Sequence, residues 1–194
     1  MRLAGPGRTC VFLAGLVAWG AVARAQVSEV KETAYARVSF AQRLAADPEI
    51  IGYVLAKNAE GEPMAEVQRK DREWMEQRDY ALKSTLLHNR CADHLRALLK
   101  PDPMIVEAIL MDSKGANVCI SVETTDYWQG DEAKWQKTYA EGREVFVDEP
   151  ALDRSTGVFA VQLSVPVSRD GKRIGALCLT LKLKKSVVGS APPK

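Results

Sequence analysis

The chain has 194 residues, of which 46% are hydrophobic, 27% charged and 7% aromatic. This length suits one domain with a proper core, the apolar content excludes wholesale disorder, and 13 glycines and 9 prolines exclude a collagen-like or low-complexity chain. The formal net charge is +2, but the first 25 residues hold three arginines and no acid, so the remainder has 24 basic and 25 acidic side chains. A near-neutral body gives no electrostatic reason to expect nucleic acid as a partner.

The first 25 residues are typical of a secretory signal peptide. Arg2 and Arg8 form a positive n-region, residues 11–23 are uncharged and mostly apolar, and Ala23-Arg24-Ala25 is a small-x-small cleavage site. A membrane span needs about 20 apolar residues, so this stretch is short for an anchor, although an uncleaved anchor is the alternative. We expect a periplasmic or secreted product that begins at Gln26.

Residues 26–100 have helical periodicity. Apolar residues at three- and four-residue steps predict an amphipathic first helix. Asp47 followed by Pro48 predicts the N-cap and first turn of a second helix, and residues 58–63 (NAEGEP) break the pattern. One longer helix is predicted from there to about residue 99, after which two prolines end it.

Beyond residue 100 the period changes to two, which predicts strands. Five strands are predicted, at 104–111, 117–123, 144–147, 157–167 and 173–183. A short helix is predicted at 131–139 and a loose tail at 186–194. Long helices followed by five mostly antiparallel strands, with the sheet region at 101–185, predict an α+β domain.

Alternation along the strands gives the sheet one apolar and one mixed face. The apolar face requires a large cover, for which the long N-terminal helices are the candidate. The mixed face carries small or polar side chains, namely Cys119, Ser121, Gln162, Ser164, Cys178 and Thr180. A water-facing surface is the ordinary alternative, but these positions are mostly small and uncharged, so we interpret them as the floor of a pocket.

An aromatic and charged segment, Asp126 to Trp135, follows the second predicted strand. Three aromatic side chains within ten residues suit recognition of a small polar molecule, because aromatic rings make walls while polar groups fix orientation. The alternative is that Trp128 and Trp135 only plug the open side of the domain.

Four segments together resemble a Cache-type extracytoplasmic sensor domain, which has a PAS-like fold. They are residues 112–118 (DSKGANV), 124–134 (TTDYWQGDEAK), 153–156 (DRST) and 174–176 (IGA). The resemblance covers about residues 105–183 and implies a five-stranded antiparallel sheet with long N-terminal helices behind it and ligand on the other face. Members commonly bind amino acids, carboxylates or other small metabolites between two membrane spans that lead to an output module. Because the sequence shows neither a second span nor such a module, we expect a separate membrane partner.

Two non-enzymatic functions remain open. The first is an exported single-Cache module that binds a small metabolite and passes occupancy to a membrane receptor. The alternative is an interaction or homodimerisation domain of the same fold with a filled pocket. For the first, the sheet would offer hydrogen bonds, the aromatic segment a lid, Asp153 a partner for a ligand amine and Lys134 one for a carboxylate. The candidate site residues are Ser121, Asp126, Tyr127, Trp128, Lys134, Asp153, Gln162, Ser164 and Thr180.

The sequence offers little evidence for a metal site or a catalytic site. His88, Cys91 and His94 form a regular string, but on a helix the two histidines stand about 120° and 9 Å apart, so one tetrahedral ion cannot take all three. The acidic loop around Asp148 and Asp153 could bind Ca²⁺, but a solvated loop is commoner. No phosphate loop, dinucleotide fingerprint or nucleophile elbow occurs, so we expect no cofactor and no catalytic residue.

The exported chain keeps three cysteines, Cys91, Cys119 and Cys178. If the strand order is that of the Cache fold, the second and fifth strands flank the first, which separates Cys119 from Cys178 by about 9–10 Å. That distance exceeds the Cα limit of about 7 Å for a disulfide. The prediction is three free, largely buried thiols.

Cleavage of the leader is directly testable. Because the apolar stretch is short and ends in Ala-Arg-Ala, we expect a mature N-terminus at Gln26, read by intact-mass spectrometry of the periplasmic fraction. A product that keeps Met1 in washed membranes would contradict this prediction and favour an anchored sensor.

Overall fold

The computed structural model describes Ser28 and residues 31–152 and 159–182. The predicted signal peptide, the predicted tail and Asp153 lie outside the described residues. Among those that are described, no helix is long and apolar enough to cross a membrane.

Helices fill the N-terminal half, as predicted. Residues 31–35 are helical, and the helices that follow are α1 (Val38–Ala45), α2 (Pro48–Ala59), α3 (Met64–Met75), α4 (Tyr80–His88) and α5 (Arg90–Leu99). The predicted start of α2 is confirmed: the Asp47 carboxylate accepts hydrogen bonds from the N–H groups of Glu49 and Ile50, and Pro48 stands in the first turn.

The single long helix predicted up to residue 99 is wrong, because that stretch forms α3, α4 and α5. Gln77, just beyond α3, has a φ of 58°, in the left-handed region where a helix cannot continue. Asn89 is extended between α4 and α5, and its side chain accepts a hydrogen bond from the N–H of Ala92. Neither residue is Gly or Pro, so these two breaks carry no strong signal in the sequence.

Among the described residues, six antiparallel strands form one sheet. They are β1 (Ile105–Met111), β2 (Asn117–Ile120), β3 (Phe146–Val147), β4 (Ala151–Leu152), β5 (Phe159–Arg169) and β6 (Lys172–Lys182). The order is β2-β1-β6-β5-β3, and the short β4 pairs with β5 along the same edge as β3. The strands fill five positions, which confirms the predicted α+β architecture with a five-stranded antiparallel sheet.

The main core lies between one face of the sheet and the helices. α1, α2 and α5 bury a row of leucines there, among them Leu163, Leu177 and Leu179, each contributing about 1.5–3 kcal/mol by burial. The helices α3 and α4 instead pack at one end of the opposite face, where Trp74 and Tyr127 belong to a second apolar cluster that includes Ile109. The remainder of that face is crossed by α6 (Ala133–Trp135) and a π-helical turn (Gln136–Ala140), which occupy the predicted short helix.

The prediction of three free thiols is wrong. Cys91 on α5 and Cys119 on β2 form a disulfide, with their Cα atoms 5.9 Å apart, and Cys178 is free and buried. The strand order used in that prediction is correct, since β1 separates β2 from β6. The error lies in the face assigned to β2: Cys119 pairs with Leu110 and shares its helix-covered side, so its partner comes from a helix.

Reduction of this disulfide is expected to destabilise the domain. The bond closes a loop with a sequence separation of 28, and loss of such a constraint costs about 2–4 kcal/mol. Urea unfolding of the mature protein with and without reductant measures the effect, and a Cys91→Ala/Cys119→Ala variant should be insensitive to reductant. Alkylation of the unreduced, unfolded protein should label Cys178 alone; labelling of all three cysteines would contradict the bond.

Candidate functional site

The floor of the candidate site comes from two rows of side chains across the mixed face of the sheet. In the first row Glu107 on β1 lies opposite Thr180 on β6, which lies opposite Gln162 on β5. The Thr180 hydroxyl donates to Glu107 Oε2 at 2.5 Å. Ile109, Cys178 and Ser164 form the second row. These rows follow from the period-two alternation of β5 and β6, which was read correctly.

A cavity of about 290 Å³ lies on this floor. Its floor is formed by Glu107, Ile109, Ala160 and Gln162. One wall is the segment after β2, with Thr124, Thr125, Asp126, Gln129, Glu132 and Lys134. The other wall joins β3 to β4 and contributes Asp148, Glu149 and Ala151. The volume is near the lower end of the range of about 300–1,000 Å³ for small-molecule sites.

The first wall is held to α3 by Asp71. One carboxylate oxygen, Oδ1, accepts hydrogen bonds from the backbone N–H groups of Tyr127 and Trp128, at 3.0 and 2.9 Å. One turn further along α3, the fully buried indole of Trp74 donates to the Thr124 carbonyl at 3.0 Å. These bonds satisfy backbone groups of an irregular segment that has no ladder of its own.

Tyr127 and Trp128 secure the wall and do not line the cavity. Tyr127 is fully buried beside Trp74, with 6.1 Å between the ring centroids, and its hydroxyl donates to Glu62 Oε2 at 3.2 Å. The Trp128 indole N–H donates to the Lys114 carbonyl at 2.7 Å. The Trp128 ring therefore lies as the plugging alternative expects, and Tyr127, which was predicted as part of a ligand lid, is buried as well.

The turn between β1 and β2 supports the same wall from the other side. The backbone N–H of Gln129 donates to the Gly115 carbonyl at 2.7 Å. Gly115 has a φ of 82°, and a Cβ there would lie 2.4 Å from the Cα of Gly130. Only glycine permits this close approach of the two loops.

Asp126 is a desolvated carboxylate at the cavity surface. Gln129 Nε2 donates to its Oδ1 at 2.5 Å. Burial, followed by the negative charge of Glu132, raises the pKa of Asp126 to about 6. Gln129 is itself fully buried, and its Oε1 has no hydrogen-bond partner among the described atoms. This corner of the cavity thus holds an acceptor, Gln129 Oε1, that needs a donor.

Lys134 is 5% exposed and its ammonium pairs with Glu132 Oε2 at 2.8 Å. Burial acts to lower the pKa of Lys134, but Cys178, Glu132 and Asp126 raise it by more, so the net shift is upward. The side chain is therefore charged at neutral pH, and its charge is balanced by a carboxylate of the same wall.

The wall between β3 and β4 is more exposed and also acidic. Glu149 pairs with Lys31 at 2.5 Å, between side chains that are 71% and 31% exposed. Asp148 Oδ1 accepts a hydrogen bond from the N–H of Glu149. No Lys or Arg within the described ranges forms an ion pair with Asp148 or with Asp126.

The structure brings some of the predicted site residues together and separates others. Asp126, Lys134 and Gln162 line the cavity. Thr180 and Ser164 lie on the same sheet face but are fully buried beside it. Ser121 follows the end of β2, where its hydroxyl accepts a hydrogen bond from the Ala108 N–H, and it borders a groove beside α5. Asp153 lies outside the described residues.

Sequence reasoning missed Glu107, Gln129 and Glu132 as lining residues. A signal for Glu107 was available, because it is the single charged residue in the otherwise apolar strand β1. A carboxylate is rarely placed inside such a strand without a polar purpose. Gln129 and Glu132 stand in an irregular segment where periodicity indicates no direction.

Comparison with known proteins supports the fold. The sensor domain of the Vibrio cholerae histidine kinase DctB superposes with a TM-score of 0.50 and 14% identity over 91% of this chain and 58% of that one. The ligand-binding domain of the Pseudomonas aeruginosa amino acid chemoreceptor PctC, in complex with GABA, gives 0.45 and 16% over 87% and 61%. That of the Campylobacter jejuni chemoreceptor Tlp3, in complex with 4-methylisoleucine, gives 0.41 and 12% over 83% and 60%.

The chain therefore spans about three fifths of each of these domains. The predicted resemblance to Cache-type sensor domains is confirmed as a likeness of fold. No protein-family model matches the chain, and no curated protein does.

The bond from Asp71 to the wall can be tested by its effect on stability. Asp71→Ala leaves two backbone N–H groups without an acceptor, so we expect a loss of about 2–4 kcal/mol in the free energy of unfolding. Asp71→Asn keeps one acceptor oxygen and should lose less. Glu73→Ala, on the same helix, removes a surface ion pair with Arg69 and should change stability by no more than about 0.5 kcal/mol. Equal urea midpoints for Asp71→Ala and Glu73→Ala would contradict the assignment.

Proposed function

We propose that this chain is an exported ligand-binding sensor or accessory module, which binds a small metabolite in the cavity and passes occupancy to a separate membrane partner. The observation that carries the proposal is the cavity of about 290 Å³ on the open sheet face, with Gln129 and Lys134 buried in its wall and the half-buried Asp126 beside them. Natural cores do not leave desolvated charges beside an empty space without a use for them.

Two further observations support this function. The fold matches that of a histidine kinase sensor domain. The Cys91–Cys119 disulfide suits an oxidising compartment outside the cytoplasm, as the predicted signal peptide does. The alternative, an interaction or dimerisation domain with a filled pocket, draws support from the inward packing of Tyr127 and Trp128.

A thermal-shift screen of the mature protein at pH 7.5 tests the proposal. Amino acids, carboxylates, purines and amines form the four arms, and a ligand at 100 times its Kd should stabilise the protein by about 2.7 kcal/mol. If no compound of any class shifts the melting temperature, the interaction function is favoured instead.

The Asp126→Asn variant tests whether a ligand-induced shift in melting temperature results from binding in the cavity. We expect it to abolish ligand-induced stabilisation while leaving the ligand-free protein as stable at pH 7.5 or up to about 2 kcal/mol more stable. The reason is that the folded state raises the pKa of Asp126, so at a pH above that pKa the ionised carboxylate costs stability that a neutral amide does not.

The matched control is Asp170→Asn. Asp170 lies at the exposed turn between β5 and β6 with a φ of 50°, a conformation that Asn accepts readily. This variant should keep the full ligand response. A large loss of stability in Asp126→Asn would show instead that Asp126 is a structural residue.

A further inference from the structure

We infer that the cavity selects a small organic cation with two protonated amines, such as an aliphatic diamine, over an amino acid. The inference rests on the proposed function and names the ligand class of the same cavity. It follows from the number, pairing and placement of the charged groups that line the cavity.

The described lining residues carry an excess of negative charge. Among them, Asp126 and Asp148 have no ion-pair partner within the described ranges, whereas Glu149 is paired with Lys31. The ammonium of Lys134 also lines the cavity. That ammonium is already paired with Glu132. A ligand carboxylate would therefore enter a negative cavity in which Lys134, the lining cation among the described residues, is already engaged, whereas a ligand ammonium would relieve repulsion between the walls.

The hydrogen-bonding groups agree with the charges. Gln129 lines the cavity, is fully buried, and keeps an unpartnered acceptor oxygen. The amide nitrogen of Gln129 donates to Asp126. Because this bond fixes the orientation of the amide, the Oε1 atom of Gln129 remains an acceptor without a donor. An ammonium supplies three donors and no acceptor, which is the complement that this corner lacks.

The acidic groups stand at two ends of the floor. Asp126 and Glu132 belong to the wall after β2, and Asp148 belongs to the wall beside β5. The floor runs from β1 across β6 to β5, which is two strand spacings or about 10 Å. A single ammonium reaches one end only, while a chain with an amine at each end can meet both.

Putrescine and 4-aminobutyrate are the matched probes, because they differ only in carrying an amine or a carboxylate at one end of the same chain. Isothermal titration of the mature protein at pH 7.5 should give putrescine a Kd at least about tenfold lower than that of 4-aminobutyrate. Equal or tighter binding of 4-aminobutyrate would overturn the inference and leave the proposed function intact. Binding of neither probe, with no response in the wider screen, would overturn both.

Three substitutions test the contributions of the two ends of the cavity separately. Asp148→Asn should weaken putrescine by about tenfold and leave butylamine, which has one amine, unchanged, whereas Asp126→Asn should weaken both. Lys134→Gln should tighten putrescine, because it removes a positive charge and releases Glu132. If Lys134 instead binds a carboxylate of the ligand, Lys134→Gln should lower the affinity for that ligand. If Lys134→Gln does not fold, the Asp148→Asn comparison still decides the matter.

The pH dependence gives an independent check. Asp126 faces Glu132 and Lys134 on its own wall, Asp71 on α3, Glu107 on the floor, and Asp148 and Glu149 across the cavity. With a pKa of about 6 it is mostly protonated at pH 5 and ionised at pH 7.5, so putrescine affinity should rise about tenfold over that range. Asp126→Asn should flatten this rise. Calcium and magnesium chlorides form the last arm, and saturable binding of either ion in place of putrescine would overturn the inference.

Discussion

The bond from the Asp71 carboxylate to two successive backbone N–H groups is the contact on which the candidate site depends. The segment from Thr124 to Glu132 has no strand partner beyond a single bridge between Ala116 and Trp128, so its backbone must be satisfied from elsewhere. Asp71 does this at the two residues directly after Asp126. The position of Asp126 over the sheet is therefore set by a helix that lies outside the cavity, and the wall and α3 form one mechanical unit.

The sheet was largely predictable because its rule is simple. Along β5 and β6 the side chains alternate without exception over the core rows, so Leu163 and Leu179 point to the helices while Gln162 and Thr180 point away. The rule failed on β2, which is only four residues long and pairs with β1 through a register shift between Leu110 and Met111. A short strand with an irregular register gives alternation too little length to fix a face, and the disulfide was missed for that reason.

The site was less predictable than the sheet because its walls are not periodic. The floor position of Gln162 followed from alternation, and Asp126 and Lys134 from the composition of one segment. Aromatic rings in a polar loop suggested a ligand-facing lid, yet Tyr127 and Trp128 pack into an apolar cluster with side chains of α3 and the β1–β2 turn. Their polar tips then bond to Glu62 and to the Lys114 carbonyl, partners that lie far away in the sequence.

The fold and the charge of the cavity are thus encoded in different parts of the chain. The apolar rows of the sheet and the apolar stripes of the helices specify the packing of the helices on the sheet. The sensor domain of DctB has a similar fold at 14% identity, because such a pattern tolerates wide exchange of one apolar residue for another. Charge in the cavity comes instead from Glu107 on the floor and from two irregular walls, where one substitution changes the field without disturbing the core. Because a partly desolvated carboxylate such as Asp126 costs stability unless it is compensated, the wall charges would, in the function we propose, be met by positive charge on the ligand.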